Sequence, residues 1–206
     1  MASDVIKGPD GIARCSWALA APELLPYHDS EWGRPVLADQ DLFEHICLES
    51  FQCGLSWLTI LRRRDGFRNA FDGFAIEKVA AFDDGDVERL LADERIIRNR
   101  AKIVAAITNA RAAIVAIEAE GSLARLIWRF APSSVPAARS YSDVATVTPE
   151  SEALARELKN RGFRFFGPTT ACALMEACGL INTHLVGCHC RSSAAAARKT
   201  ALAQLT

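Results

Sequence analysis

Between Asp39 and Arg64 the chain reads DQDLFEHICLESFQCGLSWLTILRRR, and within it Leu42, Ile46, Glu49 and Cys53 follow at steps of four, three and four. On an α-helix that spacing places all four on one face. Glu49 thus takes a slot on an apolar stripe where a helix ordinarily carries Leu. A carboxylate there is costly unless something pairs with it, and a group held in such a place is a candidate site residue. Gly54 breaks the period, and Leu55, Trp57, Leu58 and Leu61 open a second apolar pattern that runs into Arg62, Arg63 and Arg64. An acid, an aromatic ring and a basic cluster are gathered within a few turns. A structural acid paired with an Arg, beside a Trp that serves only as core, explains the same letters. The stretch alone does not choose between the two readings.

The 206 residues suit one large domain or two closely packed lobes, and with 50% hydrophobic and 24% charged residues they can bury a sizeable core. No apolar run approaches the roughly 20 residues that span a bilayer. The opening MASDVIKGPDG lacks a basic segment followed by an apolar one, so no signal peptide is expected. The expectation is a cytoplasmic monomer without a membrane partner. Seven cysteines, an odd number, argue against a closed disulfide framework and for reduced thiols, some of them metal ligands. A net charge of −1 does not by itself point to nucleic acid, which usually meets a basic face. The charge is uneven, however: acids collect at 83–86, while Arg and Lys collect at 62–64 and 95–102.

Helical spacing continues along the chain, and no segment alternates as a strand. Residues 1–12 read as a flexible tail, and 14–33 as an irregular segment tied down by its Trp, Tyr, Cys and His residues. Asp39 is placed to cap the helix that follows it. Phe67, Phe71 and Phe74 mark a helical turn closed at Asp72-Gly73. A short helix from near Asp86 and a long one ending at Gly121 bracket Ile96-Ile97, which gives a helical hairpin over about 86–118. The turn of that hairpin carries Arg95, Arg98, Asn99, Arg100 and Lys102, and the backbone N–H groups opening its second helix are suited to a phosphate. A solvated loop is the plainer account of such a charge cluster. Leu123 to Phe130 read as a short helix and 131–148 as a Pro- and Ser-rich connection. Thr148-Pro149 opens a helix that closes near Gly162, and another runs to about Cys178. Residues 192–206 read as an Ala-rich tail.

Cys15 and His28 near one end of the chain, and His184 and Cys188 near the other, make a Cys₂His₂ set of the kind zinc takes in structural sites. His184 and Cys188 are four apart, so on a helical turn they face the same way. Cys190 is a rival for the last position. From spacing alone the set is weak, because the two pairs lie far apart.

Taken together, RCSW (14–17), YHDSEWG (27–33), LFEHICLESFQCGLSWLTILRRR (42–64), IIRNRAKI (96–103), RGFRFFGPTT (161–170) and INTHLVGC (181–188) resemble the DNA-3-methyladenine glycosylase I family of the helix-hairpin-helix DNA repair superfamily. The blocks run in the family's order from Arg14 to about Cys190. The resemblance implies an all-α, two-lobed fold over 13–191 with the active pocket between the lobes. It implies one structural zinc ion on Cys15, His28, His184 and Cys188, joining the two terminal segments. It places Glu49 in the base pocket as the catalytic residue, orienting the water or only reading the base, Tyr27 and Trp57 against the damaged base, and Trp17 and Trp32 in the walls. Gly54 and Leu55 would probe the gap left in the duplex, and Arg98, Asn99, Arg100 and Lys102 would grip its phosphates. Leu24, Arg95, Ala101 and Thr183 depart from residues common in the family, which puts one pocket wall, the hairpin turn and a partner for His184 in doubt.

The implied activity is excision of 3-methyladenine from double-stranded, alkylated DNA by hydrolysis of the N-glycosidic bond, without a lyase step, since no Lys in these motifs is placed as a nucleophile. N3-methylation makes the adenine cationic, so a buried carboxylate and flanking rings favour it over neutral adenine. Extrusion costs a few kcal/mol and is cheapest where damage has weakened pairing. A non-catalytic lesion-binding protein on the same fold is the alternative, and a small zinc-stabilised interaction module is a second one.

Overall fold

Helical periodicity is realised almost throughout. The structure, a computed structural model that describes residues 4–205, holds eleven α-helices and one two-stranded antiparallel sheet among those residues. The sheet pairs β1 (Val5–Lys7) with β2 (Ala13–Cys15), Val5 lying opposite Cys15. Residues 4–12, expected to hang loose, therefore fold back as a hairpin. Strands of three residues are too short to show alternation, and this one is fastened by the ion pair of Arg14 with Asp10 at 2.8 Å. The first three residues of the expected tail and the last residue of the chain lie outside the described residues.

Helix α1 (Leu24–Ser30) precedes α2 (Asp39–Gln52), and α3 (Trp57–Leu61), α4 (Arg64–Ala70) and α5 (Ile76–Ala80) follow. Every residue of α2 from Ile46 to Phe51 is buried. The helix is enclosed by its neighbours, so the apolar stripe records only part of its packing. Phe51 meets Phe67 at 4.7 Å and Phe71 at 5.8 Å between ring centroids, and Phe71 stacks on Phe74. Truncating such a ring in a closed core costs roughly 3–5 kcal/mol. Asp39, expected to cap α2, lies inside its first turn and instead accepts a hydrogen bond from the Leu123 N–H at 2.8 Å.

The hairpin is formed by α6 (Asp84–Ala92) and α7 (Arg100–Glu120). Asp83 and Asp86 close a capping box on α6, Asn99 caps α7, and Gly121 at φ +85° ends it. Arg95 sits in the turn without a left-handed backbone, since its N–H and guanidinium both bond Asp93; the turn has no need of a glycine there. Next come α8 (Leu123–Trp128), α9 (Pro149–Asn160) capped by Thr148, α10 (Pro168–Ala177) and α11 (Arg191–Leu205). The last of these, expected as a tail, is a helix whose Ala194 and Ala201 are buried, and it packs on α8. Alanine is the strongest helix former, and its small side chain lets the helix lie close without any conspicuous apolar stripe. Helices α5, α6 and α7 form one group, α9 and α10 another, and α2 touches both through α7 and α10. That is the two-lobed arrangement. No helix among the described residues is long and apolar enough to cross a membrane.

Candidate functional site

Where α2 ends, Gly54 turns at φ +81°, a conformation that side chains resist, and leaves Leu55 40% exposed. Cys53, which the spacing set on the buried stripe, caps α2 and is exposed, because the helix stops one residue earlier. Ser56 then caps α3 through the Thr59 N–H and brings Trp57 back toward α2. Between this bend, the 17–32 segment and α10 lies a cavity of about 380 Å³. Trp17, Tyr27, Trp32, Glu49 and Trp57 all line it, with Leu24, Gln52, Ser56, Leu58, Ala173 and Glu176. Tyr27 and Trp57 face each other with centroids 5.3 Å apart, and Trp17 meets Trp32 edge-on at 5.0 Å. Leu24 occupies one wall.

Glu49 is 4% exposed, and its Oε2 has no hydrogen-bond partner among the described residues. The Trp57 Nε1–H is likewise unpartnered. Among the described residues no arginine pairs with Glu49, so the structural-acid account does not hold. Burial, with the charge of Glu176 second, pushes the Glu49 carboxyl up to about 8. Burial alone is the main cause that raises Glu176 to about 7. The Tyr27 phenol is also raised, by burial first and by Glu49 next.

Glu176 was not foreseen. Its signal was present, because it interrupts the apolar run ACALMEACGLI as Glu49 interrupts its own stripe. The same sequence reasoning would have found it.

The hairpin residues fare differently. Asn99 spends its side chain on the Lys102 N–H. Arg98 lies 3.6 Å from Glu94, and Arg100 pairs with Glu88 at 2.6 Å. Lys102, expected at a phosphate, is buried, and its ammonium donates to the Phe51 and Cys53 carbonyls at 2.9 and 2.6 Å. It satisfies the carbonyl end of α2, so its place is inside the protein.

Cys15, His28, His184 and Cys188 converge as a buried cluster able to hold a metal ion, all four ligand atoms lying within 4.8 Å of one another. Cys188 Sγ is 3.5 Å from His28 Nε2 and 3.6 Å from His184 Nδ1. The far ring nitrogens are also engaged. His28 Nδ1 meets Asp29 at 2.8 Å and His184 Nε2 meets the Trp32 carbonyl at 3.3 Å. Arg14 and His189 hold Asp29 in turn. The Trp32 carbonyl thus supplies the partner that Thr183 does not. Residues 184–188 are a turn and not a helix, so the spacing was right for a wrong reason. Cys190 belongs to an adjoining group with Asp29 and His189 that shares His28. Gly33, at φ +73°, abuts this cluster, and a Cβ there would come within 3.1 Å of His184. Trp32 packs on the His184 ring at 4.6 Å, and Trp17 on the His28 ring at 5.1 Å. The cluster thereby braces two walls of the cavity.

A helical scaffold that holds a ring-lined, acid-bearing cavity between the 17–32 segment, α2 and α10 fits the class of DNA glycosylases. Comparison with known proteins narrows the class. The sequence profile of the methyladenine glycosylase family matches residues 17–192, and the chain belongs to that family. It is 45% identical over 179 residues to DNA-3-methyladenine glycosylase 1 of Escherichia coli, covering 86% of this chain and 96% of that protein. The DNA-3-methyladenine glycosylase of Haemophilus influenzae is 40% identical over 185 residues, covering 87% and 98%. A crystal structure of 3-methyladenine DNA glycosylase I superposes with a TM-score of 0.82 at 46% identity, over 86% of this chain and 99% of that one. The Staphylococcus aureus enzyme, whose structure addresses 3-methyladenine recognition, superposes with the same TM-score at 34% identity, over 86% and 96%.

Proposed function

We propose that this chain excises 3-methyladenine from alkylated double-stranded DNA as a monofunctional glycosylase and works as a monomer. The observation that carries the reading is the unpartnered Glu49 Oε2 inside an aromatic cavity with room for a purine base. A buried carboxyl that nothing in the protein satisfies is waiting for a ligand with donors. The N–H donors and positive ring of 3-methyladenine suit it, while Tyr27 and Trp57 offer faces to a cation.

At neutral pH Glu49, with its carboxyl near 8, is largely protonated in the free pocket. Entry of a cationic base favours the carboxylate, so binding is coupled to loss of a proton. Neutral adenine gains nothing from that charge and is disfavoured. Once the base is seated, the C1′–N9 bond breaks with its electron pair going to the purine, which leaves as neutral 3-methyladenine. Water adds to C1′ and gives up a proton. No lysine lines the cavity, which favours hydrolysis over a Schiff-base step. Gly54 and Leu55 stand at the bend beside the pocket and are assigned to the gap in the duplex. Arg98, Asn99 and Arg100 are assigned to the phosphate backbone through the opening turn of α7.

Zinc is the ion we assign to Cys15, His28, His184 and Cys188. Zn–S near 2.3 Å and Zn–N near 2.0–2.1 Å in a tetrahedron imply S···N edges of roughly 3.6 Å, against 3.5 and 3.6 Å here. When bound it would supply structural cross-linking of the terminal segments and no chemistry at the base. The test of the function is incubation with methylated duplex DNA and chromatography of the released bases. Free 3-methyladenine is expected, and its absence would leave the lesion-binding alternative standing.

A further inference from the structure

Of the three phenylalanines in RGFRFF, Phe163 and Phe166 enter the core, while Phe165 is 46% exposed. Phe165 also adopts φ +55°, a left-handed backbone that is costly for a bulky residue. Phe74 adopts φ +58° too, but its ring is fully buried against Phe71 and Phe43, which offsets the strain. No such packing rewards Phe165. Its backbone is nevertheless held from below. Asn109, fully buried on α7, donates to the Arg164 carbonyl at 3.1 Å and accepts from the Arg164 N–H at 2.7 Å. A buried amide is thus used to present an exposed ring.

The ring lines a groove of about 840 Å³ that also carries Arg156, Lys159 and Arg164. Among the described residues none of these three cations forms an ion pair, although Arg161 and Arg129 nearby are tied to Glu120 and Glu157. The groove reaches Cys53 and Thr170, whereas the base cavity is lined by Gln52, Ser56 and Ala173 of the same bend and the same α10. Only the bend after α2 and the start of α10 therefore lie between the two.

We propose that this groove seats the DNA strand leading away from the extruded nucleotide, with a nucleobase stacked on Phe165 and phosphates against Arg156, Lys159 and Arg164. The inference rests on the reading of the chain as a DNA glycosylase, and it adds a second contact surface on the lobe opposite the helical hairpin. Stacking of one base on an aromatic ring is worth about 1–3 kcal/mol, or roughly five- to 150-fold in affinity.

The test is fluorescence anisotropy on a labelled duplex carrying a tetrahydrofuran abasic analogue, with the full chain. Phe165→Ala is expected to bind about tenfold more weakly and Phe165→Tyr nearly as well as the wild type. Free 3-methyladenine binding is expected to stay unchanged in both. Phe165→Gly, which relieves the left-handed strain, is expected to keep or raise Tm while losing duplex affinity. Arg156→Glu with Lys159→Glu is expected to weaken binding at low salt and to lower its salt dependence. Duplex affinity of Phe165→Ala within twofold of the wild type overturns the proposal, as does a loss confined to variants that have also lost Tm. A wild type that binds the duplex through Phe165 yet releases no base supports this surface and defeats the excision reading instead.

Discussion

Two buried polar sites share the segment from Cys15 to Trp32, and they are finished to different degrees. In the Cys₂His₂ cluster the cysteine sulfurs and both imidazoles face one another, and each outer ring nitrogen meets Asp29 or the Trp32 carbonyl. In the cavity a few ångströms of ring away, Glu49 Oε2 and Trp57 Nε1 have no partner among the described residues. Buried polar groups are normally satisfied. A cluster whose polar atoms face one another suits a fastening, and a cavity with open polar atoms suits a ligand. Lys102 shows the same rule outside either site. Its charge suggested a phosphate contact, and its two carbonyl partners make it a brace for α2.

The comparison is broken most severely at the cluster. Cys188→Ser is expected to lose the metal and to lower stability by several kcal/mol, since metal binding in such sites is folding free energy; metal content and a thermal melt measure both. The folded fraction at low temperature is expected to retain excision, and loss of chemistry in well-folded protein would mean the cluster is no mere fastening. Glu49→Gln comes next. Excision is expected to fall on the order of 100-fold, the value of a hydrogen bond to a charged partner, with binding to undamaged duplex nearly unchanged. Equal losses in both assays would make Glu49 structural.

The pH dependence of stability sharpens the contrast further. With Glu49 near 8 folded and about 4.5 unfolded, the folded state keeps a proton that the unfolded state has shed between those values. Stability from this group is thus full below about 4.5 and declines as pH rises toward 8. Thermal melts from pH 5 to 8 are expected to show a decline of a few kcal/mol that Glu49→Gln flattens. Glu176→Gln is expected to remove its own part of that decline and to bring Glu49 closer to the ordinary range. A wild-type curve already flat over this window would show that neither carboxyl is desolvated. The smallest effect is at Lys102. Lys102→Met is expected to cost about 1–2 kcal/mol of stability, the cost of leaving the α2 carbonyls unbonded, while the salt slope of DNA binding stays as it was.

Much of the cavity was legible in the letters, because a charge inside an apolar period is a local anomaly. Glu49 declared itself that way, and Glu176 carried the same anomaly unnoticed. The cluster was legible only as a set of residue types, since nothing in local spacing joins Cys15 to Cys188. The charged hairpin turn was misleading at Lys102, because charge in sequence does not say which way a long side chain reaches.

The sequence by itself determined the helical class, the cap at Thr148 and the acid on the buried face of α2. These depend on contacts within a few residues, where periodicity and capping chemistry act. Only the tertiary structure decided that Glu176 joins Glu49, that Trp17 and Trp32 lean on the histidines, and that Asn109 holds Phe165 outward. Most of those pairings span tens to well over a hundred residues, and their physical cause is the packing of distant segments, to which no local pattern is sensitive.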